Sequence, residues 1–298
     1  LLRGCLHSIV INPREEAIAP TPTYKRVWER VGAARYSTDG NAVKFKVLSY
    51  NVLAQTLLES HSYLYVDCIP KHLQWDVRAA YLYEEITNIS PDILCLQEVQ
   101  SSHLKTFYSK FEEIGYFGIF KKKTGVNLID GCAIYFRKSV FKLKDVVKVE
   151  LNQPNIPFLD RHQVGIIVKL SPVSQPDTTL VVANTHLLYN PRRLDIKLAQ
   201  LKLFLAEIDR VTYDHRESRY LPLILAGDFN SYPDSDVVSL LDDSMTVLDV
   251  VWDYSLWKKL GITDNCQHLS VYLNRLEGRY MCKKKVMLPG VLVHLYCW

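Results

Sequence analysis

The chain has 298 residues, of which 48% are hydrophobic and 23% charged, with a formal net charge of +4. That length allows one large core or two domains, and the composition is that of a soluble globular protein rather than a disordered one. So mild a charge permits nucleic-acid binding without arguing for it, and no apolar run is long enough to span a bilayer, which excludes a transmembrane helix.

Residues 1–43 show no periodicity. Pro20, Pro22 and the cluster Ser37-Thr38-Asp39-Gly40-Asn41 read as an irregular leader ending in a turn. The start, Leu1-Leu2-Arg3-Gly4-Cys5, lacks the layout of a signal peptide. Residues 45–50 alternate like a strand. Residues 75–89 read as an amphipathic helix with Val77, Ala80, Tyr81, Glu84 and Glu85 at helical spacing, and Pro91-Asp92 ends it. The apolar run 93–96 is expected of a strand covered on both faces. The run Lys121-Lys122-Lys123 reads as a solvated loop or a track for a phosphate backbone.

Further strands are expected at 132–136, 146–151, 164–170, 180–183 and 223–225. The spacing predicts a helix over 193–211. Its apolar stripe is Leu194, Leu198, Leu201, Leu205 and Ile208, and Lys197, Lys202 and Glu207 are left in water. A short helix follows at 235–241. Several strands succeed one another directly, which predicts mixed sheets rather than a doubly wound parallel one. After Lys283-Lys284-Lys285 comes an apolar tail, 286–298, read as an edge strand or a foreign sequence. The seven cysteines form no CxxC pair, so neither a disulfide framework nor a zinc site is expected. Cys95 and Cys132 read as small buried hydrophobes.

Four polar-tipped segments follow strand-like runs: Ser49-Tyr50-Asn51, Leu96-Gln97-Glu98-Val99, Asn184-Thr185-His186-Leu187 and Gly227-Asp228-Phe229-Asn230. An amide, a carboxylate, an imidazole and an Asp-x-Asn pair at one sheet edge suit a hard metal ion and a phosphate. In an extended segment Asp228 and Asn230 share a face, and Phe229 points to the core. Asp228 is a candidate general base, a role worth roughly 10²–10⁴-fold in rate. Asn230 is placed to orient it or to donate to phosphate. Glu98, at the end of a doubly covered strand, suits Mg²⁺, with Asn51 as a neutral oxygen donor. His186, on the same face as Asn184, is a candidate donor to the phosphate or leaving group. Each signal has an ordinary reading as a turn or structural residue; their order and common position make them specific.

These residues carry a family resemblance. Residues 49–55 (SYNVLAQ), 91–99 (PDILCLQEV), 130–136 (DGCAIYF) and 184–193 (NTHLLYNPRR) resemble the endonuclease/exonuclease/phosphatase superfamily, within it the carbon-catabolite-repression-type deadenylases and nocturnin. Residues 260–267 (LGITDNCQ) are similar to the angel group in particular. The resemblance covers about 44–270. It implies a four-layer α/β/β/α sandwich of the DNase I type, with Glu98 and Asn51 near Mg²⁺, Asp228 as base, and Asn230 and His186 around the phosphate. It also implies Asn190, Arg192 and Arg193 along the nucleic-acid path. Implied activities are 3′-end exoribonucleolysis, deadenylase-like with poly(A) among the substrates, or hydrolysis of a 2′,3′-cyclic phosphate on an RNA end. Implied partners are RNA, including mRNA 3′ ends, and proteins of mRNA turnover or translation, in the cytoplasm with the nucleus also open. Family members close with an Asp-x-Ile strand and a Ser-Asp-His motif. Nothing after Gln267 matches either, and His294, with no Asp before it, is not assigned that role. A domain over 44–298, truncated or divergent after about 270, is therefore expected. A catalytically impaired RNA- or protein-binding module is the alternative.

Overall fold

The computed structural model describes residues 43–153, 156, 159–214, 216–242 and 293–296. The expected leader and residues 260–267 lie outside them. In chain order the elements are β1 (Val47–Asn51), α1 (Gln55–Ser60), α2 (Trp75–Ile89), β2 (Ile93–Gln100), α3 (Ser109–Glu113), β3 (Tyr116–Lys122), β4 (Asp130–Arg137), β5 (Phe141–Glu150), β6 (Val164–Pro172), β7 (Leu180–His186), α4 (Leu194–Thr212), β8 (Tyr213–Asp214), β9 (Arg219–Tyr220), β10 (Leu223–Asp228), α5 (Asp236–Asp242) and β11 (Val293–Tyr296). No described helix is long and apolar enough to cross a membrane.

Two mixed sheets form, with orders β1-β2-β4-β3 and β11-β10-β7-β6-β5. Side-chain parity stacks them. Ile93, Cys95, Ile134 and Phe136 of the first sheet meet Ile166, Val168, Val182 and Ile224 of the second in one buried layer. The opposite parity, Leu94, Leu96, Ala133 and Tyr135, packs under Leu82 and Ile86 of α2 and Phe111 of α3. On the far side Ile167, Val181, Ala183 and Leu225 lie under Leu201, Phe204 and Ile208 of α4 and Val237 of α5. Both sheets are thus buried on both faces, which is the four-layer α/β/β/α sandwich expected. Each large side chain so buried contributes roughly 1.5–3 kcal/mol.

Some expectations are corrected. Helix α2 has the expected bounds, but its inward face is Trp75, Ala79, Leu82, Tyr83 and Ile86, while Ala80, Tyr81 and Glu84 are exposed. The lysine run is not a free loop. Lys121 and Lys122 end strand β3. Lys121 pairs with Glu150, Lys122 donates to the carbonyls of Gly125 and Leu128, and Lys123 lies 2.6 Å from Asp130. On α4, Lys197, Lys202 and Glu207 are buried, not in water. The helix has the sheet on one side and α5 on another, so little of it faces solvent. Lys197 satisfies its ammonium on the Asn230 carbonyl at 2.6 Å, and Glu207 receives Arg210 at 2.9 Å. Within the tail, residues 293–296 form an edge strand: β11 pairs in parallel with β10, Leu225 opposite His294.

Candidate active site

The inner face of the sandwich is a set of period-two rows, and each row turns polar as it reaches one edge. Strand β1 runs Val47, Ser49, Asn51; β7 runs Val182, Asn184, His186; β10 runs Ile224, Ala226, Asp228. Parallel pairing sets His186 opposite Asp228 in the second sheet, and Asn51 opposite Gln97 in the first. The polar ends therefore meet where the two sheets open.

Strand β2 contributes through a bulge. Leu96 opposes Ala133 and Val99 opposes Gly131, leaving Gln97 and Glu98 against Cys132 alone. Glu98 sits there in the left-handed region, φ +60°. The two residues split in function. Gln97 is fully buried and donates to Asn184 Oδ1 at 2.7 Å, and Asn184 donates back to the Leu96 and Ala133 carbonyls, both at 2.9 Å. That amide pair ties the sheets together directly beneath the site. Glu98 turns out to the edge.

Asn51 Nδ2 donates at 2.8 Å to both Glu98 Oε1 and Asp228 Oδ2, joining the sheets through one amide. Its Oδ1 accepts from Leu53 N at 3.0 Å, so it is the amide NH₂, not the expected oxygen, that faces the carboxylates. The second Glu98 oxygen accepts from Ala54 N at 3.0 Å. His186 Nε2 lies 3.8 Å from Asp228 and 4.0 Å from Glu98. The Asn230 amide donates to that Nε2 at 2.9 Å and to the Leu187 carbonyl at 3.0 Å, which places the proton of a neutral His186 ring on Nδ1. Asp228 Oδ1 accepts from Asn230 N at 3.0 Å. Phe229 is buried in the core beneath α4, as expected.

The backbone is strained here. Leu53 (φ +54°) and Asn230 (φ +49°) share the left-handed region with Glu98, each at a cost of about 1–3 kcal/mol that the surrounding bonds must offset. Gly227 (φ +155°) lies so close to β7 that an added Cβ would fall 2.4 Å from the Thr185 carbonyl oxygen. The close approach at this glycine is therefore to a neighbouring strand.

Asn190 and Arg192 are exposed on the loop after β7, four and six residues beyond His186, with Arg192 N donating to Asn190 Oδ1 at 2.9 Å. Arg193 makes a two-pronged contact with Asp195, at 3.0 and 2.9 Å, which holds the Asp195 carboxyl below its ordinary range. One site neighbour escaped the sequence reading: Arg78, a lone cation in the row with Trp75 and Leu82 on the inward face of α2. That placement was the signal that could have found it.

The donor set fits Mg²⁺. Two carboxylates share a single amide donor, and among the described residues neither has a Lys or Arg within ion-pair distance. Such a pair calls for a cation, and Mg²⁺ takes one or two carboxylates with water and substrate phosphate. Among the described residues no three or more His, Cys, Asp or Glu side chains are gathered to hold a metal ion, so a cation here would draw its remaining ligands from water and phosphate.

This fold and edge site are those of a known class. The pattern of the Endonuclease/Exonuclease/phosphatase family matches residues 48–270, and the chain belongs to that family. Among curated relatives, Protein angel homolog 2 of Danio rerio is 42% identical over 290 residues, covering 88% of this chain and 50% of its own length. Protein angel homolog 1 of Homo sapiens is 37% identical over 269 residues, covering 81% and 40%. The chain thus spans about half or less of the length of these relatives. Among solved structures, ANGEL2, described as a 2′,3′-cyclic phosphatase in complex with adenosine-2′,3′-vanadate, is 44% identical with a TM-score of 0.64, over 67% of this chain and 57% of that one. The human nocturnin catalytic domain with bound sulfate is 29% identical with a TM-score of 0.56, over 67% and 69%.

Proposed function

We propose that this chain carries the core of a Mg²⁺-dependent hydrolase that opens a 2′,3′-cyclic phosphate on an RNA end. The observation that carries the reading is the junction of Asn51, Glu98 and Asp228 beside His186. The 44% identity to a protein described as a 2′,3′-cyclic phosphatase favours the cyclic end over the exonucleolytic reading.

In this reading Glu98 holds the cation, which when bound supplies charge to a phosphate oxygen. Asp228, fixed by Asn51 and the Asn230 backbone, takes a proton from water. The water oxygen bonds to phosphorus, one ring P–O bond breaks, and the freed ribose oxygen takes up a proton, leaving a phosphomonoester. Asn230 and His186 stand beside the same edge, and the Asn230 amide would donate to a phosphate oxygen by giving up one of its present bonds, to His186 Nε2 or to the Leu187 carbonyl. Asn190 and Arg192, exposed on the next loop, meet the RNA backbone.

The test is purified protein with Mg²⁺ on an RNA oligonucleotide with a cyclic phosphate end and, separately, on poly(A). Opening of the cyclic end at unchanged length is expected. Shortening of poly(A) instead would replace this reading with an exoribonuclease. RNA binding with neither reaction would make the chain a binding module.

A further inference from the structure

The loop after β1 is where two of the three strained residues draw their hydrogen bonds. Leu53 N orients the Asn51 side chain, and Ala54 N holds Glu98 Oε2. Leu53 itself is left-handed, a conformation a branched side chain does not favour. Something must hold residues 52–55 in place. One guanidinium does so: Arg78 Nη2 donates to the Val52 and Leu53 carbonyls, both at 2.7 Å, and its Nη1 donates to Gln55 Oε1 at 2.9 Å. Gln55 in turn is anchored on the Leu73 carbonyl at 3.0 Å. Arg78 projects from α2, whose Leu82 and Ile86 are packed in the core, and its guanidinium carbon lies 5.8 Å from the Trp75 ring centre.

We propose that Arg78 is the positioning residue for the cation site: by gripping residues 52–55 it sets the two donors that aim Asn51 and Glu98. It touches neither carboxylate. It acts through the backbone, and its fork of donors explains why a guanidinium stands there. A lysine has the charge but no planar fork with which to meet two adjacent carbonyls and a side-chain oxygen together. Its positive charge also acts on Glu98 at longer range, while burial lowers its own pKa from the ordinary arginine value. This inference rests on the reading of Glu98 as the metal carboxylate.

The test measures Mg²⁺ affinity directly, as the Mg²⁺-induced rise in unfolding midpoint and by calorimetric titration, and then as the Mg²⁺ concentration for half-maximal activity. Arg78→Lys is expected to weaken Mg²⁺ by about 10–100-fold, the usual cost of losing an outer partner of a metal ligand, with turnover largely restored at saturating Mg²⁺. Added guanidinium at millimolar concentration should recover part of the affinity of Arg78→Ala. Gln55→Ala, at a half-buried position, should move the midpoint in the same direction by a smaller factor, and it serves if the arginine variants do not fold. Ile86→Ala, buried on the same helix, should lower stability without moving Mg²⁺ affinity. Unchanged affinity in Arg78→Lys, or in Gln55→Ala where the arginine variants do not fold, overturns the proposal. So does an Ile86→Ala shift as large as that of Arg78→Lys. Glu98→Gln separates the two readings. If it leaves Mg²⁺ binding intact, the metal assignment itself is wrong. If it abolishes binding while Arg78→Lys does nothing, only the role of Arg78 fails.

Discussion

Glu98 and Asp228 share one amide yet stand on different sheets, so substitutions at them should separate binding from chemistry. Glu98→Gln is isosteric, and it should abolish the Mg²⁺-induced rise in unfolding midpoint while leaving the metal-free midpoint near its original value. Asp228→Asn should leave substrate affinity in place and lower kcat by roughly 10²–10⁴-fold, as loss of a general base does; loss of binding at unchanged turnover would mark Asp228 as positional. Gly227→Ala is a test of packing rather than chemistry. Its new Cβ would collide with the Thr185 carbonyl oxygen, which is backbone and has little room to yield. We expect a loss of about 2–3 kcal/mol or more in a denaturant titration. At this scale much of the site was legible: period two alone set Asp228 beside Asn230 and sent Phe229 inward. The left-handed backbone at Leu53 and Glu98 was not legible, since neither residue type favours it and only the bulge and the grip of Arg78 impose it. The orientation of Asn51 was hidden for the same reason, because it depends on a backbone N–H two residues on.

The elements divide by how much of their environment is local. Strands flanked by turn residues and filled with β-branched side chains announced themselves, though most run longer than the apolar core suggested, since polar ends such as Thr185-His186 still pair. Strand β3 was hidden by its lysines, whose stems lie along the sheet while their ammonium groups reach partners. Helix α4 shows the limit of a single-stripe reading. An amphipathic pattern assumes water on one side, whereas α5 and the loop after β10 cover that side here. Leu201, fully buried in the layer between α4 and the second sheet, is the clean probe. Leu201→Ala should cost about 2–5 kcal/mol, and a negligible shift in unfolding midpoint would show that the helix does not carry the core.

For the molecule as a whole, two packed sheets with helices outside leave their strand edges as the vulnerable lines. Strand β11 covers the β10 edge, the strand that carries Asp228. Ending the chain before Val293 uncovers a row of unpaired backbone groups. The expected result is self-association at micromolar concentration, visible in sedimentation velocity, and a monomer as stable as the intact chain would show the strand to be dispensable.

The hydrogen bond between Asn51 and Asp228 joins positions 177 residues apart. Closing a flexible loop of that span costs about 4–5 kcal/mol in chain entropy, so this contact is among the least favoured to form early. The first sheet can assemble from neighbours in the chain, but its carboxylate has no counterpart until β10 has docked. Completion of this edge junction is therefore expected late in folding. In refolding experiments, Mg²⁺ binding should rise with the slowest phase and be absent from the initial collapse.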